Sequence, residues 1–366
     1  MRRLLAKKAI DERLLIAYLI TVTVGLVVIY SASSIMAESR FGSHTYFIRQ
    51  QLLWTFLSVG VIWLICRLDL ERLAVYSVPA LIVSLLFLTL VFVMPSRNDA
   101  HRWIFLGPFT LQPSEPFKFI MIVYLAFSLA NPKRDLKKIG QLIIPYVPLV
   151  GAGLALTVLE PDLGVTIVIA ITALCIFFLA GTPMKYLLAC SMPLVAAASV
   201  IVFVLGYKRA RVIDYLASVA DPLNGSYQVK QAALTLGSGG LFGTGLGDGR
   251  QKLFFLPYPH TDFIFASAGE EIGLLGLSAL LFLLFYILWR GLKIAAAQPD
   301  RFGYLLASGM VITLFCSMAI NIGVVTAILP VTGLPLPFIS YGGSSLLTSS
   351  AAIGVLLNLS QKVPQA

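Results

Sequence analysis

Charge is scarce in this chain. Only 12% of its 366 residues are Asp, Glu, Lys or Arg, while 58% are hydrophobic. No water-soluble core of this length accounts for that balance, which excludes an ordinary globular enzyme and indicates a polytopic membrane protein. Cysteine is scarce too. Cys66, Cys175, Cys190 and Cys316 all fall in apolar runs without metal-like spacing, so they read as buried small hydrophobes. Histidine is limited to His44, His101 and His260. His44 reads as a solvated loop residue, and the other two lack a third ligand for zinc. There is no internal repeat and no low-complexity tract. There is also no Lys/Arg-rich run interleaved with aromatics, so a net charge of +10 implies no nucleic acid. Membrane proteins use basic residues for orientation instead.

Long apolar runs are what the sequence has in abundance. A span needs about 20 mostly apolar residues. Ten segments qualify: 14–35, 48–66, 74–94, 115–131, 141–159, 163–180, 184–206, 263–289, 304–328 and 342–360. The expected fold is an all-α polytopic membrane protein, one domain over 1–366. The N-terminal stretch "MRRLLAKKAIDER" has no small-residue cleavage site and leads into a run long enough to span, so it reads as a tail before a retained helix. The fifth and sixth spans are separated only by "EPD" and form a tight hairpin. Pro145 and Pro148 lie inside the fifth and are expected to kink it.

Orientation follows from Lys and Arg in short loops. The tail 1–13 (Arg2, Arg3, Lys7, Lys8, Arg13) and the loops carrying Lys133, Arg134, Lys137, Lys138, Arg290, Lys293 and Arg301 fall on one side. The opposite side has Arg40, Arg97 and Arg102, with Arg49 at a span edge. Both tails, 1–13 and 361–366, are therefore expected in the cytoplasm, and the long segment 207–262 outside. Leu223, Leu234, Leu236, Leu241 and Phe242 suggest that this segment folds back onto the membrane surface. Its Gly-rich part lacks GxxxxGK[ST] and follows no strand, so it is not read as a phosphate loop.

The few charges near spans gather on the outer side. Glu115 and Lys118 stand three residues apart on one helix face, where they can pair. Glu160 and Asp162 occupy the hairpin tip, and Asp162 could cap the sixth span. Arg102 and Trp103 precede the fourth span. Asp262, Glu270 and Glu271 open the eighth, where a cap or the helix dipole would also suit them. Charges so placed usually face a cavity. Acidic and basic groups side by side, with apolar walls, suit an anionic substrate arriving through lipid: cations hold phosphates, and a carboxylate takes a proton from a hydroxyl.

Five stretches in order carry a resemblance. They are "NDAHRWIFLGPFTLQPSEPFKF" (98–119), "LEPDLG" (159–164), "GSYQVKQAALTLGSGGLFGTGLGDGRQKLFFLP" (225–257), "HTDFIF" (260–265) and "GLPLPFISYGGSS" (333–345). The chain resembles the SEDS family (shape, elongation, division and sporulation) over its whole length, nearer its FtsW/SpoVE branch than its RodA branch. The resemblance implies a peptidoglycan glycosyltransferase that polymerises lipid II into a nascent glycan strand, releasing undecaprenyl diphosphate. It places the essential acid on Asp262, as general base or as ligand to Mg²⁺ or Mn²⁺. Arg102, Trp103, Lys118, Lys252 and His260 would then help bind substrate, Glu115 would orient Lys118, and Glu160 and Asp162 would shape the cavity floor or bind the cation. It also implies a class B penicillin-binding protein and divisome proteins as partners, at the division septum. Tyr258 departs from the family pattern, standing where many relatives carry Glu.

Two other functions use the same features. A lipid II flippase would need polar residues through both leaflets, and here the cytoplasmic halves of the spans carry almost no charge. A scaffold for a transpeptidase would leave Asp262 without a purpose.

Overall fold

The computed structural model describes residues 9–95, 101–107, 109–199, 213–217, 226–249 and 255–363. The chain is a helical bundle. Five helices are long and apolar enough to cross a membrane: α1 (Glu12–Phe41), α2 (Tyr46–Arg67), α11 (Ile264–Ala296), α12 (Arg301–Val325) and α13 (Gly343–Ser360). Shorter helices complete it: α3 (Leu70–Ala74), α4 (Ser77–Leu90), α5 (Ser114–Leu129), α6 (Ile139–Tyr146), α7 (Ala152–Leu159), α8 (Leu163–Leu179), α9 (Met184–Ser199) and α10 (Tyr227–Ser238). This is the architecture of a multi-pass membrane protein.

Burial shows which helix is central. The apolar window of α12 is 78% buried, whereas that of α2 is only 17% buried, so α2 turns most of its surface outward. On α2 that surface includes Leu52, Phe56 and Trp63, side chains suited to hydrocarbon and costly in water. The cysteine expectation is corrected in part. Cys316 is buried, but Cys190 is exposed and the other two are intermediate.

Side-chain caps start several helices where the sequence offers Asp. Asp11 accepts from the Leu14 N–H at 3.0 Å, Asp162 from Val165 at 3.2 Å and Asp300 from Gly303 at 2.7 Å. Each satisfies a donor that the first helical turn leaves without a partner. The proline expectation also holds. Between α6 and α7 the chain passes through a π-helical turn, Val147–Gly151, flanked or entered by Pro145 and Pro148. Proline has no N–H to give to the ladder, and the wider turn absorbs the gap.

Helices α1 and α11 run antiparallel and are clipped at both ends. The Arg290 guanidinium donates to Asp11 (Nε to Oδ2, 3.1 Å), and the Ser31 hydroxyl donates to Glu271 Oε1 at 2.6 Å. Twenty helical residues from Asp11 to Ser31 rise about 30 Å, the thickness of a hydrocarbon layer. The two polar contacts are therefore about one hydrocarbon thickness apart.

Two features differ from the all-helix expectation. Ile104–Leu106 and Phe109–Leu111 pair as an antiparallel hairpin, β1–β2, turning at Gly107 with φ of 64°. The described part of the segment before α11 packs against that helix. Helix α10 buries Val229, Ala232 and Thr235, and the Gly-rich strap 239–249 then lies in a break of α11. The break is at Gly273 (φ 65°, ψ −174°). There the Gly243 φ is 83°, and a Cβ on it would stand 2.1 Å from the Glu271 carbonyl oxygen, so only glycine fits. Thr244 and Gly245 donate to the carbonyls of Glu270 and Glu271, and Leu274 and Leu275 donate to those of Gly240 and Leu241. Of the apolar residues expected to pack, Leu236 abuts Gly269, while Leu234, Leu241 and Phe242 stay exposed; Leu223 lies outside the described residues.

Candidate functional site

The hairpin tip between α7 and α8 is the floor of the site. Glu160 is fully buried, and neither of its carboxylate oxygens has a hydrogen-bond partner among the described residues. Burial pushes its carboxyl up to about 8; Asp162 adds to the push and Arg102 opposes it. Asp162 is also buried. Its Oδ1 caps α8 and its Oδ2 accepts from Gln112 Nε2 at 2.7 Å. Burial raises its carboxyl as well, against Arg102, the Val165 N–H and Lys118, while Glu115 adds to the rise. The charges of Arg102, Glu115 and Lys118 are thus all felt at one carboxylate.

Arg102 is half-buried just before β1. It donates from Nε to the Glu160 carbonyl at 3.0 Å and from a terminal nitrogen to the Pro161 carbonyl. Those bonds hold the tip in place, and Pro161 sits there at φ 31°. Trp103 is half-buried beside it. The expected pair on α5 is present: Lys118 Nζ lies 3.0 Å from Glu115 Oε1, and both side chains are buried. Glu115 Oε2 has no hydrogen-bond partner among the described residues. Buried ion pairs need such close geometry to offset lost hydration.

Asp262 lies on the turn before α11 and is half-buried. It is not a helix cap: Phe263 occupies that position, and no side chain caps there. Its backbone is fixed instead. Asn321 of α12 donates from Nδ2 to the Asp262 carbonyl at 2.9 Å and to the Leu334 carbonyl at 2.6 Å. The segment 332–334 then links Asp262 to the floor. A Cβ on Gly333 would meet Asp262 Oδ2 at 3.7 Å, and one on Gly164 would meet Leu334 and Thr332. Gly164 lies two residues past Asp162.

The rest of that segment gathers the other pieces. Ser340 Oγ donates to the Thr261 carbonyl at 2.6 Å, and the Tyr341 N–H donates to the His260 carbonyl at 2.9 Å. Ser344 Oγ accepts from the Gln112 N–H at 3.0 Å. The site is therefore built from the hairpin, the 160–162 tip, the 260–262 turn and the segment 332–345.

Three expected members, His260, Glu270 and Glu271, lie away from the floor. His260 is buried, with its ring 4.5 Å from that of Phe47 and 5.7 Å from that of Tyr341. Burial, helped by the Arg40 charge, lowers its imidazole to about 4, so it is a neutral aromatic wall at pH 7. Glu270 and Glu271 are buried one to two turns into α11, facing Ser31 and Gly249 rather than the floor. Lys252 lies outside the described residues. Among the described residues, no three His, Cys, Asp or Glu side chains converge as a metal cage would need.

Gln112, Ser340 and Ser344 lie in the quoted stretches without an expected role, and Asn321 lies outside them. Asn321 had a signal: a lone amide inside the apolar run "MAINIGVV" is costly unless it holds something.

Comparisons with known proteins show the family and the fold. The family model for FtsW, RodA and SpoVE, described as cell cycle protein, matches residues 12–365. A probable peptidoglycan glycosyltransferase FtsW of Geobacter sulfurreducens is 38% identical over 345 residues, covering 93% of this chain and 92% of that protein. Stage V sporulation protein E of Bacillus subtilis is 36% identical over 359 residues, covering 97% and 98%. A chain of a peptidoglycan synthase complex, solved for the structural coordination of polymerization and crosslinking, superposes with a TM-score of 0.78 at 29% identity, covering 96% of this chain and 98% of that one. The rod shape determining protein RodA of Thermus thermophilus superposes with a TM-score of 0.70 at 28% identity, covering 98% and 99%.

Proposed function

This chain belongs to the FtsW/RodA/SpoVE family, and we infer that it is a peptidoglycan glycosyltransferase of the inner membrane with Asp262 as its general base. One observation carries the assignment of the base. Of the site carboxylates, Glu115, Glu160 and Asp162 are 2%, 0% and 3% exposed, whereas Asp262 is only half-buried. A group that takes a proton from a substrate hydroxyl has to reach it.

In this reading the substrate is lipid II at the outer face of the membrane. The 4-hydroxyl of its GlcNAc attacks the anomeric carbon of the MurNAc that ends the growing strand. The new oxygen–carbon bond forms as the bond to the diphosphate breaks, the proton passes to Asp262, and undecaprenyl diphosphate leaves. Asn321 supports this step by fixing the Asp262 backbone. Lys118, oriented by its buried pair with Glu115, and Arg102, which also holds the hairpin tip, are phosphate-binding candidates. Trp103 and the neutral His260 ring form walls, and Lys252 is kept as a phosphate-binding candidate.

A divalent cation, magnesium or manganese, fits only if substrate oxygens complete its shell, because the described residues offer Asp262 but no cage of three. When bound it would neutralise the leaving diphosphate.

The same reading takes the chain as ten spans in a single domain, with 207–262 outside and both termini in the cytoplasm. Its partner is a class B penicillin-binding protein, and divisome proteins place it at the septum. The outward surface of α2 offers room for a partner's membrane helix.

The test is polymerisation of lipid II by the purified chain with its transpeptidase partner. Asp262→Ala and Asp262→Asn should lose at least about 10²-fold in rate while melting and binding the partner like the wild type. Normal polymer from either variant removes Asp262 from its role. Movement of labelled lipid II across vesicles, by protein that makes no polymer, would favour a flippase instead.

A further inference from the structure

A cavity of about 760 Å³ opens at the end of the bundle opposite Asp262, between α4, α5, the broken helix α6–α7 and the start of α12. That volume is in the range that holds a small amphiphile. Its walls are of two kinds. Val78, Phe127, Ile144 and Leu149 make an apolar side, while Arg134 and Arg301 bring two guanidiniums.

The carboxylates in the lining are engaged away from the two guanidiniums. Glu71 Oε1 is engaged by Lys362 Nζ at 2.9 Å, and Asp300 caps α12 through the Gly303 N–H at 2.7 Å. Neither Arg134 nor Arg301 forms an ion pair among the described residues. Arg301 donates to the Ala180 carbonyl, and Arg134 lies 5.4 Å over the Tyr146 ring. Both guanidiniums keep donors for an anion. A second, independent feature is Ser77. It lines the cavity, is 3% exposed, and its Oγ has no hydrogen-bond partner among the described residues.

We propose that this cavity binds an anionic glycerophospholipid of the surrounding leaflet. The phosphate sits between Arg134 and Arg301, the Ser77 hydroxyl donates to the headgroup, and an acyl chain follows Val78, Phe127 and Ile144. Basic pockets between helices at the membrane edge are suited to such headgroups. The lipid braces the proline-broken turn at Leu149, in the helix whose other end presents Glu160.

The test uses the full chain in detergent and native mass spectrometry. Phosphatidylglycerol and phosphatidylcholine with the same acyl chains are titrated separately. The wild type should retain phosphatidylglycerol preferentially. Arg134→Gln/Arg301→Gln should weaken that binding about tenfold and leave phosphatidylcholine unchanged. Ser77→Leu fills the cavity without altering charge and should weaken it too. Lys133→Gln/Lys137→Gln, which removes exposed charges nearby, should have no effect. Excess inorganic phosphate should leave the lipid bound. Equal retention of the two lipids, wild-type binding by the double arginine variant, or displacement by inorganic phosphate would each overturn the proposal. Unchanged melting of the arginine variant separates loss of the site from loss of the fold.

Discussion

Asn321 and Asp262 are joined side chain to backbone: the Asn321 amide donates to the Asp262 carbonyl at 2.9 Å and spans to Leu334 at 2.6 Å. One buried amide thus sets the position of the turn that carries Asp262 and of the segment that faces the floor. Replacing it by Asn321→Leu leaves both carbonyls to find other partners. We expect a stability loss of about 1–3 kcal/mol, and a fall in kcat larger than any rise in KM for lipid II. An unchanged kcat in a variant that melts lower would make Asn321 purely structural.

Glu160 makes stability depend on pH with a definite sign. Its carboxyl titrates near 8 when folded, against 4.5 for the ordinary group. The folded chain therefore holds a proton that the unfolded chain gives up. The associated stability is fully present below about 4.5 and is lost as pH rises through about 8. The wild type should melt at lower temperature at pH 9 than at pH 6, taken as rough markers of that window. Glu160→Gln, neutral at every pH, should flatten the slope; parallel melting curves for the two proteins would contradict the neutral carboxyl.

At the other end of α1, Asp11 and Arg290 form a buried ion pair, with side chains 4% and 7% exposed. Asp11→Asn keeps a capping oxygen but leaves the guanidinium without its countercharge. The expected cost is about 3–5 kcal/mol, read as a lower melting temperature in detergent. Adding Arg290→Met should restore much of it, because an apolar pair has no charge to desolvate. A double variant no better than Asp11→Asn would show that the pair's charge is not what matters.

The strap depends on Gly243. Its φ of 83° and the 2.1 Å approach to the Glu271 carbonyl leave no room for a methyl group. Gly243→Ala should cost about 1–3 kcal/mol in strain and open the segment 239–249 to protease. The wild type should be cut there slowly, and equal cutting of both would place the strain elsewhere.

Much of the fold is legible because hydrocarbon imposes length and apolarity directly. The expected span 163–180 meets a helix at Leu163–Leu179, and 48–66 meets one at Tyr46–Arg67. Pairing of Glu115 with Lys118 and capping by Asp162 are local events, three residues apart, and local spacing reveals them. The β1–β2 hairpin was missed because each strand is only three residues long, too short for an alternating pattern to register. His260 stood in sequence beside Asp262 like a polar partner, and only packing against Phe47 and Tyr341 makes it a neutral wall.

The sequence by itself determined a helical membrane bundle, its family, and the set of charged residues that no lipid-facing surface would tolerate. Tertiary structure decided how those residues divide. It buried Glu115, Glu160 and Asp162, left Asp262 half-buried, and turned Glu270 and Glu271 toward α1 and the strap. The reason is physical: a carboxylate's exposure and partners depend on segments far away in the chain, such as 332–345 against the 160–162 tip, and no local pattern records that meeting.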